Sequence, residues 1–208
     1  SGEISSLTGA MSKDVWVRVD GDAPSPDGEV LTVSSLLEGT SAAGYAAPAP
    51  RVAADLYWMG RYAERAEAAA RLLRVADNLV DDHAARPGTT GHAAMLAILD
   101  AVTEVMSVRP GFVGDEGASR REDPLPHLRA LTLDPRIVGS VAYSTHRAVI
   151  AAQAVRESLS LDTWLVMSRL ERTLQHAVPQ DDLQELLMET VEGLLALAGI
   201  GVESLIRD

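Results

Sequence analysis

The 208-residue chain contains no cysteine. That excludes disulfide cross-links and any zinc or iron–sulfur centre held by thiolates. It also excludes a thiol nucleophile. Aromatic residues make up only 4% of the chain, with a single phenylalanine, and Lys13 is the only lysine. Cations are scarce overall: 18 basic groups face 30 acidic ones, for a formal net charge of -12. Nucleic-acid binders carry a basic surface, so this balance argues against a DNA or RNA partner. No run approaches the roughly 18 uninterrupted apolar residues of a membrane span, and no signal-peptide pattern opens the chain. The expectation is a cytoplasmic chain with no membrane partner and no nucleic-acid partner. Apolar residues, alanine above all, are plentiful: hydrophobic types reach 47%, enough for a sizeable core.

The catalytic vocabulary is equally thin. The five histidines, His83, His92, His127, His146 and His176, are never three or four residues apart, and no Glu-x-x-His occurs. The usual helical metal signatures are therefore missing, and no metal site is expected. No phosphate-cradling Gly-x-x-x-x-Gly-Lys and no Gly-x-Ser-x-Gly elbow appears. His146 draws notice because it falls inside an expected packed helix; its simplest reading is a satisfied or surface histidine. Asp181-Asp182 reads as the acidic start of a helix rather than a catalytic dyad, because neighbouring side chains diverge by about 100°.

The first fifty residues differ from the rest. Asp14–Val19 alternates polar and apolar residues, the period of a half-buried strand, and Glu29–Leu37 could form another. Glu38–Pro50 is Gly, Ala, Ser and Pro with almost no bulky side chain, which reads as a linker. Isolated strands with no sheet, and an abrupt start at Ser1, suggest the tail of another domain cut from its body.

From Arg51 the signal is helical. Val52, Leu56, Met59, Ala63, Ala66, Ala70, Leu73 and Val80 recur in steps of three and four, with Asp77 the one polar member. Arg86-Pro87-Gly88 stops this helix. Thr89 or Thr90 caps a second helix to about Val108, with Met95, Leu96, Ile98, Leu99, Val102, Val105 and Met106 as its apolar stripe. Arg109–Pro126 reads as a loop, followed by a short helix at Leu125–Leu131. Asp134 as N-cap and Pro135 at the first position open a third long helix to about Ser158. A fourth spans Asp162–His176, and a fifth begins after Pro179. The fold class expected is all-α: an antiparallel bundle of about five long helices behind a short β/coil N-terminal extension.

One stretch carries candidate recognition chemistry. Arg61, Glu64 and Arg65 share a helical face, with Glu67 close by, and arginine suits bidentate binding of carboxylate or phosphate. The plainer reading is an ion-pair lattice between helices. The Tyr57, Trp58 and Tyr62 cluster likewise reads first as inter-helix packing.

Arg51 through Glu67, with Leu56-Tyr57-Trp58 and Gly60-Arg61-Tyr62-Ala63-Glu64-Arg65-Ala66-Glu67 at its heart, resembles the opening helix of the bacterial alpha-E domain family. Ala54-Asp55 departs from that family's usual Glu-Asn. Asp134-Pro135-Arg136-Ile137 and Ala154–Trp164 resemble the second block of the family. There, His146–Ala151 stands where relatives carry Arg-Glu-Asn. Ser5–Val17, with Ser12-Lys13-Asp14 and Trp16, resembles the carboxyl end of circularly permuted ATP-grasp domains. Its glycine triplet has become Gly9-Ala10-Met11. These resemblances imply a fusion joint: residues 1–19 as an ATP-grasp remnant, 20–50 as linker, and 51–208 as an alpha-E helical domain, truncated at its C-terminus.

What the resemblance implies for function is a non-catalytic accessory or interaction module of an ATP-grasp carboxylate–amine ligase system, in peptide synthesis or modification. The partner would be the ATP-grasp domain, in cis or in trans. ATP and magnesium would belong to the parent ATP-grasp domain, with Ser12, Lys13 and Asp14 as its remnant; this stretch needs no cofactor of its own. One alternative is an anion- or small-molecule/peptide substrate-binding domain using Arg61, Glu64, Arg65, Glu67, Arg147 and Arg156. Another is self-association through the near-heptad stripe of the first helix.

Overall fold

The computed structural model describes residues 49–178 and 180–206, with side chains described as far as Gly201. The expected strands, Ser12, Lys13 and Asp14 and the linker as far as residue 48 lie outside the described residues; Pro50, the last residue of the expected linker, instead opens the first helix. Within them the chain is all-helical, with seven α-helices, one 3-10 turn and no strand. They are α1 (Pro50–His83), α2 (Thr90–Met106), α3 (Gly114–Glu122), α4 (Leu125–Leu133), α5 (Val141–Ala154), α6 (Leu161–His176) and α7 (Leu183–Ile206). The 3-10 turn, Arg156–Ser158, links α5 to α6.

The spine is α1, whose 34 residues extend about 51 Å at 1.5 Å per residue. It packs against α2, α4, α5 and α7. Its stripe explains why: Ala66, Ala69, Ala70, Leu73 and Ala76 are at most 4% exposed. A methyl group is all that separates much of this helix from its neighbours, so their backbones can approach closely. Leu73 and Val80 join Leu99 and Val102 of α2, Leu128 and Leu131 of α4, and Leu187 and Val191 of α7 in the main core. Toward the other end, Met59, Tyr62 and Ala63 pack with Ala148 and Ala152 of α5. Ala66 meets Leu170 of α6 and Leu194 of α7.

Polar side chains set the helix starts. Thr89 accepts from the His92 N–H at 3.2 Å and Ser160 from that of Thr163 at 3.2 Å. Such caps contribute about 1 kcal/mol each. Two expectations fail, for identifiable reasons. The third long helix starts at Val141, not at Asp134. Gly139 adopts φ +98, a left-handed conformation that breaks a helix, and Ser140 caps α5 through the Tyr143 N–H at 2.9 Å. Asp134 instead closes on Arg136, accepting from its backbone N–H at 2.9 Å and its guanidinium at 2.7 Å. The guanidinium bonds, then the N–H, hold the Asp134 carboxyl down at about 2.

Arg109–Pro126 is not simply a loop, for it contains α3. Phe112 is fully buried and plugs the main core, and its N–H donates to Thr103 Oγ1 at 2.8 Å. Arg120 donates to the Gly111 carbonyl and Arg121 to the Phe112 carbonyl, fastening α3 to that plug. Asp115 and Glu116 in the first turn and Arg120 and Arg121 in the last match the helix dipole. His127 stands edge-on to Phe112, 4.9 Å between ring centres. Burial, then the charge of Arg120, pushes its imidazole below the usual histidine range.

Asp77 is the one charged residue among the buried positions, 3% exposed. Its carboxylate accepts from Gln184 Nε2 of α7 at 2.7 Å. Burial raises its pKa, Asp81 and Asp182 add to the rise, and the Gln184 bond opposes it. A carboxyl whose pKa is higher folded than unfolded costs stability as pH rises through the folded value. Asp77→Asn keeps an acceptor for Gln184 and cannot ionise. Its Tm should exceed that of the wild type at pH 7.5, and the gap should close as pH falls toward about 4. Thermal melts of both proteins across that range check the sign.

Candidate functional site

Arg61, Glu64 and Arg65 stand at i, i+3 and i+4 on α1, so the helix places them on one side. With Trp58 and Tyr62 they line an open depression of about 380 Å³, closed on its far side by Val105 and Ser107 at the end of α2. A second depression, of about 310 Å³, runs between α1 and α5. Asp55, Trp58 and Tyr62 form one wall, and Arg147, Ile150, Ala151 and Ala154 the other. Trp58 and Tyr62 belong to both, so they form a ridge between two shallow grooves.

The ridge is aromatic and cationic. Trp58 and Tyr62 lie 5.8 Å apart between ring centres, and Tyr57 meets Trp58 edge-on at 5.4 Å. The Arg147 guanidinium sits over the Tyr62 ring, 5.5 Å from its centre. Tyr62 is half-buried against α5, but Tyr57 is 60% exposed and Trp58 51%. The expected inter-helix packing therefore holds for Tyr62 and fails for the other two. On that side of α1, Tyr57, Trp58, Arg61, Glu64 and Arg65 are all exposed.

The expected lattice of ion pairs between helices is also replaced. Arg61 pairs with Glu64 and Arg71 with Glu67, both within α1. The reach of Arg65 across to α2 ends on a backbone carbonyl, Met106 O at 3.4 Å. Among the described residues, neither Arg65 nor Arg147 has a carboxylate ion-pair partner. Of the six candidate binding residues, Arg61, Glu64, Arg65 and Arg147 gather around Tyr62. Glu67 and Arg156 do not: Glu67 is turned to Arg71, and Arg156 lies over the Trp164 ring, 5.5 Å from its centre.

Val105 and Ser107 were not foreseen at the groove. Met95, Leu99, Val102 and Met106 fill the core, which leaves Val105 off the stripe and 66% exposed. Ser107 takes the left-handed cap of α2 at φ 57. His146 is exposed and its Nδ1 lies 3.4 Å from Glu171 Oε1. Among the described residues, no group of three His, Asp or Glu side chains is placed to hold a metal. No helix among them is long and apolar enough to cross a membrane.

Comparison with known proteins gives the geometry a context. Residues 49–208 match Alpha-E, described as a predicted alpha-helical domain with a conserved ER motif. Glu-Arg occurs twice in this chain, at Glu64-Arg65 on the groove and at Glu171-Arg172 on α6. The uncharacterised protein Rv2567 of Mycobacterium tuberculosis is 35% identical over 97% of this chain. The uncharacterised protein Mb2597 of Mycobacterium bovis is 34% identical over the same share. The chain spans 24% of the length of these curated relatives. No solved structure matches it significantly.

Arg65 and Arg147, which lack a carboxylate partner among the described residues, allow a direct test of whether this face is structural. Arg65→Ala and Arg147→Ala should each change unfolding free energy by no more than about 1 kcal/mol in urea denaturation, the scale of an exposed cation–π contact or ion pair. A loss above about 3 kcal/mol, typical of breaking a buried pair, would make them parts of the framework.

Proposed function

The chain belongs to the Alpha-E family, and from that premise we propose that residues 51–208 act as a non-catalytic helical interaction module. In this reading the long helices form an antiparallel bundle, and the docking face is the ridge of Tyr57, Trp58 and Tyr62 with Arg61, Arg65 and Arg147. One observation carries the proposal: two large aromatics stand exposed beside two arginines, Arg65 and Arg147, that have no carboxylate partner among the described residues. Tyr, Trp and Arg are the residues enriched at the energetic centres of protein interfaces. The unpaired guanidiniums favour an acidic contact surface on the partner.

The partner proposed is a circularly permuted ATP-grasp domain that activates a carboxylate as an acyl phosphate and joins it to an amine. The resemblance of Ser5–Val17 to the end of such domains supports this. The match to longer, uncharacterised relatives covers 97% of the chain, so it includes most of the segment before α1 together with the helices. ATP and magnesium would then be bound by the ligase domain, and Ser12, Lys13 and Asp14 would belong to it. An ATP-dependent partner places the module in the cytoplasm.

The test is a binding measurement between residues 49–208 and the isolated ATP-grasp domain. Trp58→Ala should weaken that binding at least about tenfold, or 1.4 kcal/mol. No binding, together with unchanged ligase kinetics after deletion of residues 51–208, would remove the proposal. The unpaired arginines also favour a second reading, in which a carboxylate-bearing peptide lies along the same ridge. In that case an acidic peptide binds the helical domain alone, and Arg65→Ala and Arg147→Ala each abolish binding.

A further inference from the structure

Away from the ridge, the end of α4 and the facing sides of α5 and α6 enclose a cavity of about 400 Å³. It shares no lining residue with either groove of the ridge. Its volume falls in the range of small-molecule sites. Leu133 and Leu174 form apolar walls, and Thr145, His146, Glu171 and Gln175 supply polar groups.

Thr145 and its neighbour Ser144 both bury a hydroxyl without a partner, and of the two only Thr145 lines the cavity. Three other buried helical threonines satisfy their hydroxyls on the carbonyl one turn back. Thr132 bonds Leu128 O at 2.9 Å, Thr190 bonds Leu186 O at 2.8 Å, and Thr103 bonds Leu99 O at 3.4 Å. Thr145 is equally buried, at 3% exposed, yet its hydroxyl has no partner. A buried polar group left unpaired is costly and calls for a reason. Two χ1 wells are open to a helical threonine, so the hydroxyl can turn toward a guest.

His146 Nδ1 faces Glu171 Oε1 at 3.4 Å, and the two side chains are 52% and 29% exposed. No arginine or lysine lines the cavity. Glu171 is the one carboxylate on its wall, and the Gln175 amide oxygen and the Thr145 hydroxyl can accept beside it, while the Gln175 NH2, the Thr145 O–H and the His146 ring also carry donors. A primary ammonium group has three donors and no acceptor, the complement of those three acceptors. We propose that this cavity binds a small primary amine with an apolar body, its ammonium held by Glu171, Gln175 and Thr145 and its body against Leu133 and Leu174.

Isothermal calorimetry on the 208-residue chain tests this with hexylammonium, hexanol and hexanoate, which share one apolar body. Hexylammonium should bind at least about tenfold tighter than hexanol, the gain of a charge-assisted hydrogen bond, and hexanoate should bind weakest. Glu171→Gln should reduce hexylammonium to the level of hexanol. Thr145→Val should weaken hexylammonium severalfold while melting no lower than the wild type, because it removes an unpaired hydroxyl. The proposal is overturned if hexylammonium and hexanol bind wild type alike, or if a folded Thr145→Val or Glu171→Gln protein binds hexylammonium unchanged. It is also overturned if hexylammonium shifts the amide resonances of Trp58 and Arg147 rather than those of Thr145 and Glu171.

Discussion

Everything in this domain depends on how closely other helices can approach α1. Four helices pack extensively against it and α6 touches it at Ala66, and on its buried side it offers them mostly methyl groups. Interiors pack near crystal density, so a larger residue at Ala66 or Ala70 would have to displace a neighbouring helix rather than fill a void. The same economy recurs where α6 meets α7. A Cβ placed on Gly193 would lie 2.5 Å from Leu170 Cδ2. A chain with one phenylalanine can therefore have a dense core, because small side chains narrow the space to be filled. Leucine and methionine fill the rest of the main core, and the single phenylalanine, Phe112, enters it from outside the long helices.

That arrangement also decides where recognition can occur. Close packing covers the carboxyl half of α1 on several sides. Running back along α1 from His83, α2 ends beside Arg65, and α1 continues about four turns further, with Met59, Tyr62 and Ala63 packed toward α5, α6 and α7 and its other side exposed. Aromatic and arginine side chains occupy that exposed side. A single helix thus serves as core along one part and as surface along the other, with Tyr62 at the transition.

Much of the helical layout was legible because a 3.6-residue period in the apolar residues is a strong signal. The α1 stripe, the Thr89 cap and the pause before α6 all follow from it. The failures have local causes. Asp134-Pro135 is a sound helix start in isolation, but Arg136 offered the carboxylate better partners and Gly139 needed a left-handed turn. α3 was hidden because it buries almost no apolar surface of its own. Its sign was the order of charges, acids first and arginines last, with a phenylalanine just ahead. At the site, residue type pointed to Arg61, Glu64 and Arg65, but exposure did not follow from it. Whether Trp58 is core or surface depends on where α2 stops, which no periodicity in α1 encodes. Arg147 could be linked to Tyr62 only once α5 was placed beside α1.

The hydrogen bond between Asp77 and Gln184 has a consequence for the uniqueness of the fold. A helix lined with alanine is smooth, and sliding a neighbour along it by one turn, about 5.4 Å, changes apolar contact little. Hydrophobic burial alone would tolerate several such alignments of α7 on α1. A lone buried carboxylate does not, since only one alignment brings it an amide and every other leaves it stranded. Asp77 thus acts as an index mark: it gives up some stability at neutral pH and in return fixes the register of two helices joined through most of the chain.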